Sequence, residues 1–175
     1  MNELAWNPRK CNEFALGGSQ KLLSVWNLEE RSSRTGKLRC SELEVPPILC
    51  ELRPTFDFTA VCYSAEETLL FAATSFGVVT AWSGNTCFLN WQADTHEIGV
   101  LVSVKQRLIT GSAKGNLKLW NVSSVHEMRR SDVKKASLRL DGLTVDSEVE
   151  LKSGIKCCQF DEALEVGIAT TTKGK

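Results

Sequence analysis

The side chains able to do chemistry are plentiful in this sequence, but none of them gather. Seven cysteines stand at Cys11, Cys40, Cys50, Cys62, Cys87, Cys157 and Cys158. They are odd in number and contain no Cys-x-x-Cys, and His96 and His126 lie far from any paired-cysteine spacing that suits tetrahedral zinc. Reduced, mostly buried thiols of a cytosolic protein are the expectation. The adjacent Cys157 and Cys158 point to opposite faces of a strand, which argues against a joint redox or metal role. The carboxylates Asp57, Glu66, Glu67, Asp161 and Glu162 fall in loops or turns, with no arrangement for paired acid and base work. Ser64, Ser75 and Ser112 have no nucleophile-elbow context. Gly17-Gly18 and Gly111 are not followed by a helix that would seat a phosphate. Asn121-Val122-Ser123 fits a glycosylation sequon and reads as a chance match. The expectation is a chain with no catalytic residues, no cofactor and no metal.

Composition narrows the partners. Lysine plus arginine (21) equals aspartate plus glutamate (21) across 175 residues, so no basic footprint marks a nucleic-acid binder. The opening residues lack the apolar core of a signal peptide, and no apolar run reaches the length of a membrane span. A cytoplasmic protein without membrane insertion is expected.

The elements that hold these residues are short strands. Arg107 to Val122 reads as a strand, a turn over Lys114-Gly115-Asn116, and a second strand in which Leu117 and Leu119 alternate with Lys118 before Trp120. Gly115 is the residue free to take positive φ there. Ala15 to Trp26 and Phe71 to Trp82 lie on Ile109 to Trp120 without gaps, and Ile168 to Lys175 matches the first eight of those twelve positions. The pattern then calls for a tryptophan four residues beyond Lys175, so the sequence reads as a fragment cut within its fourth unit. Trp26, Trp82 and Trp120 are 56 and 38 residues apart, and a period of roughly 40–45 residues with four strands per unit is that of a propeller. The units are drawn at 1–54, 55–95, 96–154 and 155–175. Polar insertions run from Glu29 to Pro54 and from Ser123 to Gly154, both after a third strand. The second holds Arg129-Arg130, Lys134-Lys135 and Ser131, read as a solvated loop with docking or phosphorylation as the minor alternative.

On these residues the chain resembles the WD-repeat family. Gly111-Ser112, the turn with Gly115, and Leu117-Lys118-Leu119-Trp120-Asn121 carry the likeness, with Asn121 where the family has Asp and Trp26-Asn27 repeating that change. His96, 24 residues before Trp120, looks like the histidine of the family's Gly-His dipeptide, without its glycine. Lys114 stands near the place of the family's turn aspartate, so the hydrogen-bonded tetrad of many such blades is incomplete. The resemblance implies an all-β fold: a partial propeller of about three four-stranded blades plus the start of a fourth. Within the family, Ile155 to Lys175 is most similar to a centriolar and ciliary group. That implies a microtubule-associated scaffold at the centriole, basal body or cilium, with tubulin or centriolar components as partners.

The shared register of Trp26, Trp82 and Trp120 makes core packing their expected role, and His96, Gly111, Ser112 and Gly115 are read as structural repeat positions. Trp91, on an outer strand, is either half-buried or part of a partner patch, and His126 is read as a loop residue. A non-catalytic scaffold is the leading reading; another adaptor, in ubiquitin ligation or transport, comes second. A propeller enzyme would need polar groups converging from the innermost strands, which carry Trp6, Ala60, Val102 and Cys157 instead.

Overall fold

The computed structural model describes residues 3–29, 36–66, 68–130, 143–161 and 166–173. Among the described residues, fourteen strands fall into four antiparallel sheets in chain order. The first sheet is β1 (Glu3–Trp6), β2 (Glu13–Gly17), β3 (Leu23–Glu29) and β4 (Lys37–Glu42). The second is β5 (Phe58–Tyr63), β6 (Leu69–Thr74), β7 (Val78–Ser83) and β8 (Thr86–Gln92). The third is β9 (Ile98–Val104), β10 (Arg107–Ser112), β11 (Asn116–Asn121) and β12 (Thr144–Glu150). The fourth holds β13 (Ile155–Asp161) and β14 (Val166–Thr171). The expected three four-stranded units and the beginning of another are therefore present.

Successive sheets touch along β1, β5, β9 and β13, so the first strand of each lies innermost. The hairpin β10–β11 is the centre of its sheet, because β9 pairs with β10 on one side and β12 with β11 on the other. Packing on both faces explains the composition of the second sheet. In β6, Leu69, Phe71 and Ala73 face the third sheet while Leu70 and Ala72 face the first. In β7, Val79 and Ala81 face the third sheet, and Val78 and Trp82 the first. Every residue of β6 is buried, so period-two polarity is absent where a strand has no solvent face.

Small residues sit where sheets approach most closely. A Cβ on Gly111 would lie 2.8 Å from the side chain of Ile155 on β13, and one on Gly17 would lie 2.9 Å from Val61 on β5. Ala73 holds the equivalent place in the second sheet.

The described residues of the two insertions add a strand and a helix each. Glu29 to Pro54 supplies β4 and a short helix, α1 (Pro47–Leu52), pinned by buried Leu49. Ser123 to Gly154 supplies α2 (Ser123–Arg130) and β12. Val122 and Val125 sink into the core between the second and third sheets, and the helix carries His126 inward with them. His126 is thus a buried helical residue and not a loop residue. Ser131, Lys134 and Lys135 lie outside the described residues.

Candidate functional site

The tryptophans show what the repeat does. Each indole N–H of the three repeat tryptophans donates to a hydroxyl. Trp26 uses Ser24 at 3.0 Å and Trp82 uses Thr80 at 2.8 Å, in both cases two residues back on the same strand. At that place in the third sheet stands Lys118, and Trp120 donates instead to Thr110 on the neighbouring strand, at 3.0 Å. The hydroxyl has moved from the third strand to the second, and the buried indole stays satisfied. Trp82 is sealed between the first and second sheets, and Trp120 between the second and third. Each therefore packs against the preceding sheet.

Trp26 departs from the expectation of core packing: it is only half-buried. It belongs to the first sheet, whose outward face has no described sheet against it. Trp26 stacks on Phe14 with centroids 6.1 Å apart, and Phe14 meets Trp6 at 5.1 Å. Trp6 is 57% exposed. Trp91 resolves the other way. It is buried, edge-on to Phe71 and Trp120, so it belongs to the core and not to a partner patch.

His96 sits at the entrance to β9 with its ring nearly half exposed. The centre of its hydrogen-bonding group is Asp94, which the sequence pattern did not single out. Asp94 is 5% exposed; it accepts from Nδ2 of Asn116 at 2.8 Å and from the His96 backbone N–H at 2.9 Å. Ser112 completes the group by accepting from the Asn116 backbone N–H at 3.1 Å. Burial alone pushes the Asp94 carboxyl up, but the bonds from Asn116 and His96 and the charge of Lys118 more than offset it. Its pKa is held below the ordinary value. The linker aspartate thus ties the turn of β10–β11 to the end of the second sheet, although Lys114 occupies the family's acidic turn position. Gly115 adopts φ +104°, and a Cβ there would run into the Leu151 carbonyl, which makes glycine obligatory.

A second buried polar group joins the first two sheets. Glu13 accepts from Asn7 at 2.7 Å, from Lys10 at 2.9 Å and from the Tyr63 hydroxyl at 3.2 Å. Burial raises the Glu13 carboxyl, yet the Lys10 and Asn7 bonds outweigh it and the net shift is downward. Burial, then the Glu13 charge, pushes the Tyr63 phenol well up. Both groups are thereby fixed in the protonation states that bond to each other.

None of these clusters offers a nucleophile poised beside a base. The cysteines are all unpaired; Cys11, Cys40 and Cys157 are exposed and the other four partly buried, which corrects the expectation of mostly buried thiols. Five of them lie on strands of the first, second and fourth sheets. Desolvation pushes the Cys62 and Cys87 thiols up to about 12, the state of an inert side chain. Among the described residues no three His, Cys, Asp or Glu side chains gather in a metal-binding group. No described helix is long and apolar enough to cross a membrane.

The chain is 35% identical over 173 residues to WD repeat-containing protein 90 of Mus musculus and 31% identical over 173 residues to that of Homo sapiens. The match is to WD-repeat proteins. The chain is homologous to those proteins over 98% of its own length and spans about 9% of theirs. No family model matches the sequence. Among solved structures, the β-propeller domain of Cps50 (Swd1) from Myceliophteria thermophila superposes with a TM-score of 0.70 at 16% identity, covering 95% of this chain and 50% of that one. The computationally designed Ika4 protein gives 0.66 at 16% identity, covering 99% and 86%. These structural likenesses establish the fold.

Proposed function

We propose that this WD-repeat segment is part of a non-catalytic protein-interaction scaffold of the centriolar and ciliary group, acting on microtubule walls with tubulin or centriolar proteins as partners. The observation that carries the reading is the homology to WD repeat-containing protein 90 along nearly the whole chain. The geometry supports it. The polar clusters around Asp94 and Glu13 are spent on joining strands and sheets, and the innermost positions Ala60 and Val102 bring no titratable group inward. What such a frame offers to other molecules is rigid loops and strand edges. The net charge of zero gives no strong field toward the acidic surface of tubulin, so contact by this segment rests on shape and local groups. The experiment is imaging of the full-length protein, tagged at its own locus. Accumulation at centrioles, basal bodies or axonemes is the expected result; a diffuse signal with none at these structures refutes the assignment.

A further inference from the structure

The turn between β2 and β3 breaks a rule that its two counterparts keep. In the repeat register Lys21 stands where Gly77 and Gly115 stand, and those glycines take φ +85° and +104°. Lys21 takes φ +63° and Gln20 before it φ +57°, the left-handed region that a residue other than glycine enters at a cost. Two bonds to the entry of β5 hold the turn there. The Lys21 N–H donates to the Phe56 carbonyl and the Gln20 N–H to Oδ1 of Asp57, both at 2.9 Å. The side chain that a glycine would lack is oriented as well. Its Nζ lies 5.8 Å from the centre of the Phe56 ring and donates to Sγ of Cys50, on α1, at 3.5 Å. Both residues are partly exposed, and a cleft of 280 Å³ opens beside Lys21. We propose that Lys21 and Cys50 form an oxidation site, in which a peroxide converts the pair into a covalent sulfur–nitrogen link.

The chemistry balances between this pair and one molecule of hydrogen peroxide. The Cys50 thiolate attacks one peroxide oxygen and the O–O bond breaks. The departing hydroxide takes a proton from the Lys21 ammonium and leaves as water, so a sulfenic acid now faces a neutral amine. The Nζ lone pair then attacks Sγ. An N–S bond forms, the S–O bond breaks, and the hydroxyl leaves as a second water with a proton from Nζ. Sulfur is oxidised by two electrons, and both peroxide oxygens end in water. Condensation of a sulfenic acid with a nearby nitrogen is a reversible step of cysteine oxidation. The flexible four-carbon stem of lysine gives Nζ the reach to close the gap to Sγ. Cys62 and Cys87, whose thiols burial pushes up to about 12, do not compete. The new bond joins α1 to the β2–β3 turn and, through Phe56, to the entry of β5, so the first insertion becomes covalently held.

The test is peptide mass spectrometry of the full-length protein after treatment with hydrogen peroxide, capping of sulfenic acids with dimedone, and proteolysis. The expected product is a pair of peptides joined through Lys21 and Cys50, two hydrogen atoms lighter than their sum and separated again by dithiothreitol. Lys21→Arg keeps the charge, and Lys21→Gly installs the residue of the equivalent turns and relieves the backbone. In both variants the link is lost and Cys50 carries dimedone instead. Dimedone on Cys50 of the unaltered protein without any link overturns the proposal, as does a Cys50 that peroxide leaves unchanged. A link that forms to the same extent in protein unfolded in urea also overturns it, because the folded geometry then plays no part.

Discussion

Thr110 carries a hydroxyl that the other two complete sheets keep one strand away, and that displacement gives a specific prediction. Thr110→Val removes the acceptor of the buried Trp120 N–H and is expected to destabilise the chain by about 1–3 kcal/mol, the cost of an orphaned buried donor. Urea unfolding measures it, and Thr110→Ser is expected to recover most of the loss. Gly115→Ala meets both an unfavourable φ and the Leu151 carbonyl; about 2–5 kcal/mol is expected from strain and overpacking together, read by the same unfolding curve. Asp94 and Glu13 set the pH response. Both carboxyls have folded-state pKa values below their unfolded ones, so their contribution is fully present above the unfolded pKa and is lost as pH falls through the folded value. Stability is expected to drop on acidification below the ordinary carboxylate range. In Asp94→Asn the drop is shallower, and stability at neutral pH is lower. A variant with an unchanged acid slope contradicts the assignment.

At the scale of the element, burial separates the strands of each complete sheet. β6 is buried throughout, whereas β4 and β12 are exposed along their whole length. Native-state hydrogen exchange is therefore expected to find the outer strands opening first and β6, β7 and β10 last, by an order of magnitude or more in protection; the reverse order contradicts the packing described. The strands were readable from the sequence because Gly115, the Leu117–Trp120 alternation and their repetition are local signals. The helix α2 was not. Its apolar anchors, Val122 just before it and Val125 within it, are too few for periodicity to show, and their burial against the neighbouring core holds Ser123–Arg130 in place and carries His126 inside. Asp94 was equally hidden, because its partner Asn116 is 22 residues away and no spacing rule links an acidic linker residue to a turn amide. The indole partner of Trp120 was hidden by the exchange of Thr110 for the position of Lys118.

For the molecule as a whole, the second, third and fourth sheets are each stabilised by the one before, and the face that bears Trp6, Phe14 and Trp26 has no described sheet against it. Burying apolar area of this kind contributes about 25 cal/mol per Å², so blades that lack a neighbour are expected to be the least stable. The architecture was legible because three and a half units in register constrain one another. A partner was not, because the contacts of the proposed scaffold would sit on loops and edges whose residue types follow no repeat. The central claim, that stacked WD-repeat blades here build a surface for other proteins, is tested most directly by proximity labelling from the full-length protein, with and without Gly115→Ala. Enrichment of centriolar proteins and tubulin that is lost in the glycine variant is the predicted result. Labelling that shows no such enrichment, or enrichment indifferent to the integrity of the third sheet, would contradict it.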